Sequence, residues 1–260
     1  MKRILSIFLA SLLLVSNASM VFAANVDDVA EDNLHTITLQ RTKPIREGDD
    51  FAWTLVAEPG ELAMGMNALG LGNQNSDIFG EDTTIIFAPE RVDLEEICTK
   101  YDVVAPFMDN MPITITYSSE DIDYSNETNN ETSNETQIIE DDISISPRTT
   151  GSFNYTIEPN DSVETSKQTK DDNDQDWYLT LTKLAPSAYQ YYDGVNVKVK
   201  NVEDSNNVYS ASAWYNFTKT DEYILGYYSF FTESAGDHYR LLLAVSNNNK
   251  DTDVKGKWTP

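Results

Sequence analysis

The C-terminal part of the chain alternates runs of apolar and β-branched residues with short polar turns. The turns recur about every 8–12 residues, which is typical of an antiparallel sandwich or barrel. In two of the runs every second residue is apolar, so that one face would look inward. The predicted strands are 177–184, 195–202, 208–218, 222–232, 238–246 and 254–260. We therefore predict a mainly β protein, with an antiparallel β-sandwich domain over residues 150–260.

The N-terminal region, residues 24–118, mixes two periodicities. Four runs favour strands: 34–41, 51–57, 83–89 and 111–118. One segment has apolar residues at helical spacing, namely Leu94, Ile97, Cys98 and Tyr101. Asp93 is placed to cap this helix, with Glu96 three residues later. The stretch 59–75 mixes glycine with Leu and Met and predicts either a loop or a weakly specified helix. We expect a small α+β or β-rich acidic region.

Between these regions the chain becomes acidic and loses its aromatic residues. Residues 119–150 contain a single aromatic residue, Tyr124. Such a segment cannot bury enough apolar surface to offset its conformational entropy. We predict a disordered linker over 119–149 and a second flexible acidic stretch over 160–175. The run 152–159 between them is predicted to be a strand of the C-terminal domain.

The N-terminus has the pattern of a secretory signal peptide. Lys2 and Arg3 precede an apolar run that is too short to span a bilayer, and small residues follow at 21–23. We predict a signal peptide over 1–23, a mature chain that begins at Ala24, and a secreted protein. The single cysteine excludes an intrachain disulfide, which favours a Gram-positive bacterium over an oxidising eukaryotic compartment.

The formal net charge of −25 argues against two classes of partner. An acidic surface repels phosphate backbones and anionic lipid, so neither nucleic acid nor, after signal cleavage, a membrane is expected to bind. The charge is uneven: residues 177–260 carry 9 acids and 8 bases, whereas residues 24–176 hold most of the excess acids. The C-terminal domain is thus the better candidate for binding.

Catalytic chemistry is poorly represented. The two histidines, His35 and His238, fall in different predicted regions, and with one cysteine they cannot supply a zinc site. No nucleophile-elbow motif accompanies His238. Cys98 lies on the apolar face of the predicted helix, where a free cysteine usually packs in the core. We expect a protein that is not an enzyme.

One run of aspartates has the spacing of calcium ligands. Asp172, Asp174 and Asp176 alternate in "DDNDQDW", and calcium takes oxygen ligands at such spacing. The rest of a calcium-binding loop is missing, since Trp177 and Lys183 stand where glycine and glutamate would be required. The alternatives are a non-standard calcium site and a solvated acidic stretch. We expect no other cofactor.

Aromatic residues on both faces of two predicted strands suggest a binding surface. In 208–218 the alternation assigns Ala211, Ala213 and Tyr215 to the core and points Trp214 outward. Tyr228, in a strand with rings on both sides, is the second candidate ligand contact. Exposed rings on a sheet suit sugar stacking or protein contact. The alternative is that the linker or the N-terminal region covers them.

The C-terminal run "TESAGDHYRLLLAVSNNN", followed by "VKGKWTP", resembles a group of small exported Gram-positive proteins of unknown function. Those proteins carry a strand pair before a terminal G-x-W-[ST]-P motif, and the resemblance covers about the last 80 residues. It implies a secreted β-sandwich and supplies no activity. We therefore expect a secreted interaction protein, bacteriocin-like or envelope-associated, whose partner is an unidentified extracellular protein. The alternative is an extracellular module that binds glycans of the cell wall.

Overall fold

A computed structural model describes most of the chain beyond the predicted signal peptide. The described residues are 33–72, 77–105, 111–121, 150–185, 194–204, 207–230, 234–245 and 251–260. The predicted signal peptide at 1–23 and residues 122–149 of the predicted linker lie outside this part of the chain. The protein is mainly β, as its sequence pattern predicts. No helix within the described residues is long and apolar enough to cross a lipid bilayer.

Strands dominate the described residues. The strands are β1 (Leu34–Thr42), β2 (Ala52–Val56), β3 (Thr84–Phe87), β4 (Ile113–Ser118), β5 (Gly151–Ile157), β6 (Ser162–Glu164), β7 (Gln168–Thr169), β8 (Asp176–Ala185), β9 (Val195–Asp204), β10 (Asn207–Ser210), β11 (Trp214–Phe217), β12 (Glu222–Gly226), β13 (His238–Ala244) and β14 (Thr252–Thr259). The α-helices are α1 (Leu62–Ala68) and α2 (Leu94–Lys100), and short 3-10 helices span Asp77–Phe79, Pro89–Arg91 and Ser119–Asp121.

The strands form a large and a small sheet. The large sheet has the order β4-β1-β2-β3-β11-β9-β13-β6, with β10 also paired to β9 and β7 also paired to β13. The small sheet has the order β12-β8-β14-β5. Strands β3 and β11 pair in parallel, with Trp214 opposite Ile85 and Asn216 opposite Phe87. The large sheet therefore runs through both the N-terminal and the C-terminal regions.

The large sheet carries a hydrophobic core on each of its two faces. One core packs the C-terminal half of the sheet against the small sheet, as the sandwich prediction requires, and includes Trp177, Val197, Leu241 and Trp258. The other core packs the N-terminal half against α1, α2 and the 3-10 helix Asp77–Phe79. Strand β11 belongs to both, since successive residues of a strand point to opposite faces.

Local sequence accounts for the two helices. The Asp93 side chain accepts a hydrogen bond from the Glu96 N–H at 3.0 Å, which confirms the predicted cap of α2. Within 59–75 the structure resolves the open alternative in favour of a helix, α1. Gly65 allows α1 to lie close to the sheet, because an added Cβ would come within 2.8 Å of the Ile37 side chain.

The structure differs from the predicted elements in three places. The run 222–232, predicted as one strand that contains Tyr228, is a strand only over Glu222–Gly226, β12. The stretch 160–175, predicted to be flexible, contains β6 and β7, which pair with β13 and bury Thr165 and Lys170. The run 208–218, predicted as one strand, is divided into β10 and β11 by a bend. Strands β6 and β7 form because they pair with β13, which is distant in sequence, and local composition does not register such pairing.

The last strand, β14, places a large ring in the sandwich core. The Trp258 side chain is buried in the sandwich core. The register between β14 and β8 shifts at Lys255 and Gly256, and a Cβ at Gly256 would lie 2.2 Å from the Thr180 carbonyl oxygen. Gly256 is thus a site of close backbone approach beside a bulge.

Candidate functional site

The prediction that Trp214 is an exposed ligand contact is wrong. The side chain does point away from the sandwich core, but it is 0% exposed. The Phe79 ring packs against it edge to face, with 5.4 Å between ring centroids. Trp214 is therefore covered by the N-terminal region, which was the alternative to a binding surface. A strand in the middle of a sheet that is covered on both sides has two core faces.

A buried ion pair lies beside this tryptophan. The Lys198 ammonium donates to Asp82 Oδ2, and the Trp214 Nε1–H donates to the same oxygen at 2.9 Å. Lys198 Nζ also lies 4.6 Å from the centre of the Trp214 ring. Burial lowers the pKa of Lys198, and the hydrogen bond and charge of Asp82 oppose that shift. The cluster therefore fixes the loop that carries Asp82 onto the large sheet.

A second charged group lies on the same face of the large sheet. Glu164 of β6 accepts from Lys200 Nζ at 2.5 Å and from Arg240 Nη1 at 3.2 Å. Burial tends to raise the pKa of Glu164, but the hydrogen bonds and charges of Lys200 and Arg240 hold it below its ordinary value. The Glu164 and Arg240 side chains remain 32% and 41% exposed. This group is fixed by its ion pairs and is still accessible to a ligand.

Tyr228, the other predicted ligand contact, lies close enough to Asp82 for the Asp82 charge to act on it. Its backbone N–H donates to the Ala211 carbonyl at 2.9 Å, which holds the segment after β12 beside the bend between β10 and β11. Burial, with the Asp82 charge adding, raises the pKa of Tyr228 to about 12. Phe230 stacks on Tyr228 with centroids 4.9 Å apart and is 76% exposed. Of this pair, the more exposed ring belongs to Phe230 and not to the predicted contact Tyr228.

We call this surface the polar face. It consists of Glu164, Arg240, Lys200, Lys198, Asp82, Tyr228 and Phe230. The strand register orders it across the sheet: Glu164 is opposite Leu242, Leu242 is opposite Lys198, and Lys200 is opposite Ser210. From β6 to Tyr228 there are four backbone spacings of about 4.8 Å, so the face extends roughly 19 Å across the strands.

The predicted calcium ligands Asp172, Asp174 and Asp176 are not brought together as a metal site. Within the described residues, no set of three or more His, Cys, Asp or Glu side chains is placed to hold a metal ion. Asp172 Oδ1 lies 3.2 Å from the buried Lys170 ammonium and also accepts the Asp174 N–H at 3.1 Å. Asp176 already belongs to β8. Lys170 thus supplies the positive charge that the calcium hypothesis assigned to a metal.

The two histidines and the single cysteine lie in hydrogen-bonded or buried positions of the fold. His35 Nδ1 lies 2.9 Å from Glu61 Oε1 and joins β1 to the start of α1. His238 Nδ1 lies 3.1 Å from the Thr169 hydroxyl, across the pair β7 and β13. Cys98 is buried in the core, as predicted, and burial raises the pKa of its thiol. The two histidines lie in separate parts of the fold.

Most residues of the polar face were not predicted from the sequence as ligand contacts. Alternation does place Lys198, Lys200 and Arg240 opposite the apolar positions of their strands, and this signal was readable. Glu164 lies in a stretch predicted to be flexible, and Asp82 lies 116 residues before its partner Lys198. Neither could be assigned to the face without the strand order.

Comparison with known proteins adds no relative to this description. The scan against protein-family models finds no match, and the searches of curated proteins and of solved structures return none. The resemblance of the last strands to exported Gram-positive proteins therefore stays a prediction.

Proposed function

We propose that this is an exported, non-enzymatic binding protein whose binding surface is the polar face. The observation that carries the proposal is the Tyr228–Phe230 stack, in which Phe230 is 76% exposed at the end of a row of fixed, partly accessible charged side chains. Large exposed rings beside satisfied polar groups are typical of recognition surfaces. Export is supported by the signal-like pattern of residues 1–23.

The charge distribution supports the choice of this face over the remainder of the protein. The chain as a whole has a formal net charge of −25, whereas the polar face combines three basic residues with two acidic ones. The three basic residues are Lys198, Lys200 and Arg240, and the two acidic residues are Asp82 and Glu164. A partner that approaches here meets less repulsion than elsewhere on the acidic surface.

The proposal is tested by pull-down of the mature protein, residues 24–260, on intact Gram-positive cells and on their isolated envelope fraction. We expect retention of the wild-type protein and a loss of at least about tenfold in affinity for Phe230→Ala, as for an aromatic residue that dominates an interface. Ile224→Ala is the matched control, because Ile224 is an exposed apolar residue on the outer side of the small sheet. Equal retention of both variants would refute the polar face as the binding surface.

A further inference from the structure

The polar face presents hydrogen-bond donors and acceptors in alternation. Across the sheet the order is the Glu164 carboxylate, the Arg240 and Lys200 cations and the Asp82 carboxylate. Tyr228 follows, beside Ala211 and close enough to Asp82 for the Asp82 charge to raise its pKa. Each charged group is held by an oppositely charged neighbour, so that its position is fixed before a ligand arrives. A ligand that satisfies the row must offer donors and acceptors at short intervals.

Hydroxyl groups meet this requirement, because each one both donates and accepts a hydrogen bond. An anionic group would satisfy Lys200 and Arg240 but would face the carboxylates of Glu164 and Asp82 at close range. It would also meet the repulsion of a chain with a net charge of −25. The charge pattern therefore disfavours phosphate- or carboxylate-rich polymers and favours a neutral polyhydroxylated ligand.

The aromatic pair completes this pattern at one end. Phe230 offers an exposed ring that is already stacked at 4.9 Å on Tyr228, so little conformational freedom is lost when a ligand packs on it. The apolar face of a sugar ring matches such a platform, while its hydroxyls are directed to the polar side chains. The row is roughly 19 Å long at about 4.8 Å per strand, which accommodates several sugar units in succession.

From this geometry we propose that the ligand of the polar face is a neutral glycan chain that lies across the strands, with one sugar stacked on Phe230. This inference rests on the proposed function and specifies its ligand. Glu164 and Arg240 contact hydroxyls of a sugar farther along the chain. Lys198, with 8% of its side chain exposed, supports the Asp82 carboxylate from below and makes no ligand contact.

The test is titration calorimetry with soluble oligosaccharides of two to six units. The neutral probes are β-1,4-linked glucose, β-1,3-linked glucose and β-1,4-linked N-acetylglucosamine, and the anionic probe is oligogalacturonate. We expect at least one neutral series to bind, with affinity that rises from the disaccharide to longer chains. We expect a weak dependence on salt, since a neutral ligand forms no ion pairs that salt could screen.

Two variants separate the parts of the site. Phe230→Ala should weaken binding by about tenfold or more at every chain length. Arg240→Ala should leave the disaccharide nearly unaffected and abolish the gain from longer chains. Ile224→Ala is again the matched control and should bind as the wild-type protein does.

The absence of binding to all neutral probes would overturn the inference, whether or not oligogalacturonate binds. If envelope retention is still lost in Phe230→Ala, the polar face remains the binding surface and only the ligand class is wrong. If envelope retention is unchanged in Phe230→Ala, the proposed function fails as well.

Discussion

Replacing Asp82 by alanine tests the central structural element beneath the polar face. The carboxylate accepts from the Lys198 ammonium and from the Trp214 indole N–H, and the Lys198 side chain is only 8% exposed. Asp82→Ala therefore leaves a buried ammonium without its anionic partner. The loss of one partner of a buried pair costs about 3–5 kcal/mol, much more than the net contribution of the intact pair.

The lower end of that range applies here, because the Asp82 side chain is itself 20% exposed. A loss of about 3 kcal/mol corresponds to a fall of roughly 6–12 °C in Tm for a protein of this size. Adding Lys198→Met removes the unpaired charge and keeps the packing against Trp214. The double variant should then unfold within about 1 kcal/mol of the wild-type protein, since apolar replacement of a buried pair is often neutral.

The deficit of Asp82→Ala should also depend on pH. Burial already lowers the pKa of Lys198 in the folded protein, and loss of Asp82 lowers that pKa further. The unfolded state then holds the lysine proton more tightly, so the free energy of unfolding rises with pH. The difference between Asp82→Ala and the wild-type protein should therefore shrink between pH 7 and about pH 9.5. The double variant, which lacks Lys198, should show no such change.

Urea unfolding followed by tryptophan fluorescence and by circular dichroism, at several pH values, measures these quantities. A deficit below about 1 kcal/mol would show that Lys198 reaches water and that the pair is not buried. A deficit that stays constant from pH 7 to 9.5, or a double variant as unstable as Asp82→Ala, would refute the electrostatic explanation.

Three further predictions rest on burial, on close backbone contact and on an ion pair. Trp214→Ala should cost about 3–5 kcal/mol in unfolding free energy, as for a fully buried large ring. A variant that melts like the wild-type protein would contradict the burial of Trp214 between the large sheet and the helices. Gly256→Ala should cost at least about 1–3 kcal/mol in unfolding free energy, because the new Cβ would meet the Thr180 carbonyl oxygen at 2.2 Å. Gly226→Ala is the control in the same thermal melts, because its new Cβ would meet no atom closer than 3.9 Å. The Glu164 pKa lies below its ordinary value of 4.5 in the folded state, so its contribution to stability is present above pH 4.5 and is lost as pH falls through the lower value. Acid titration of Glu164→Gln should accordingly show a stability difference from the wild-type protein that disappears at low pH, and a difference that persists unchanged would contradict it.

In the proposed binding surface, the two predicted ligand contacts, Trp214 and Tyr228, have supporting roles. Trp214 acts from beneath the surface, through its hydrogen bond to Asp82, and Tyr228 supports the exposed ring of Phe230. A substitution at Trp214 would thus alter binding indirectly, through the loop that carries Asp82. Phe230 is the variant that separates ligand contact from stability, since its ring is largely exposed.

The sequence by itself determined the local elements and their faces. Alternation in β9 and β13 assigned the valines and leucines to the sandwich core, and the spacing of Ile97 and Cys98 with a cap at Asp93 defined α2. Gly256 and Trp258 were likewise readable, because a close backbone approach and a large ring in the last strand are local features. Each of these rests on interactions within a few residues or on one repeating pattern.

The tertiary structure alone decided what covers the second face of the large sheet. The parallel pairing of β3 with β11 brings the N-terminal helices over Trp214, and the pairing of β6 with β13 brings Glu164 to Arg240. Trp214 illustrates the limit, because its alternation was read correctly and its exposure was not. Alternation shows which face a side chain points to, but burial depends on what distant segment packs there. That choice is made by contacts between residues far apart in sequence, which no local pattern encodes.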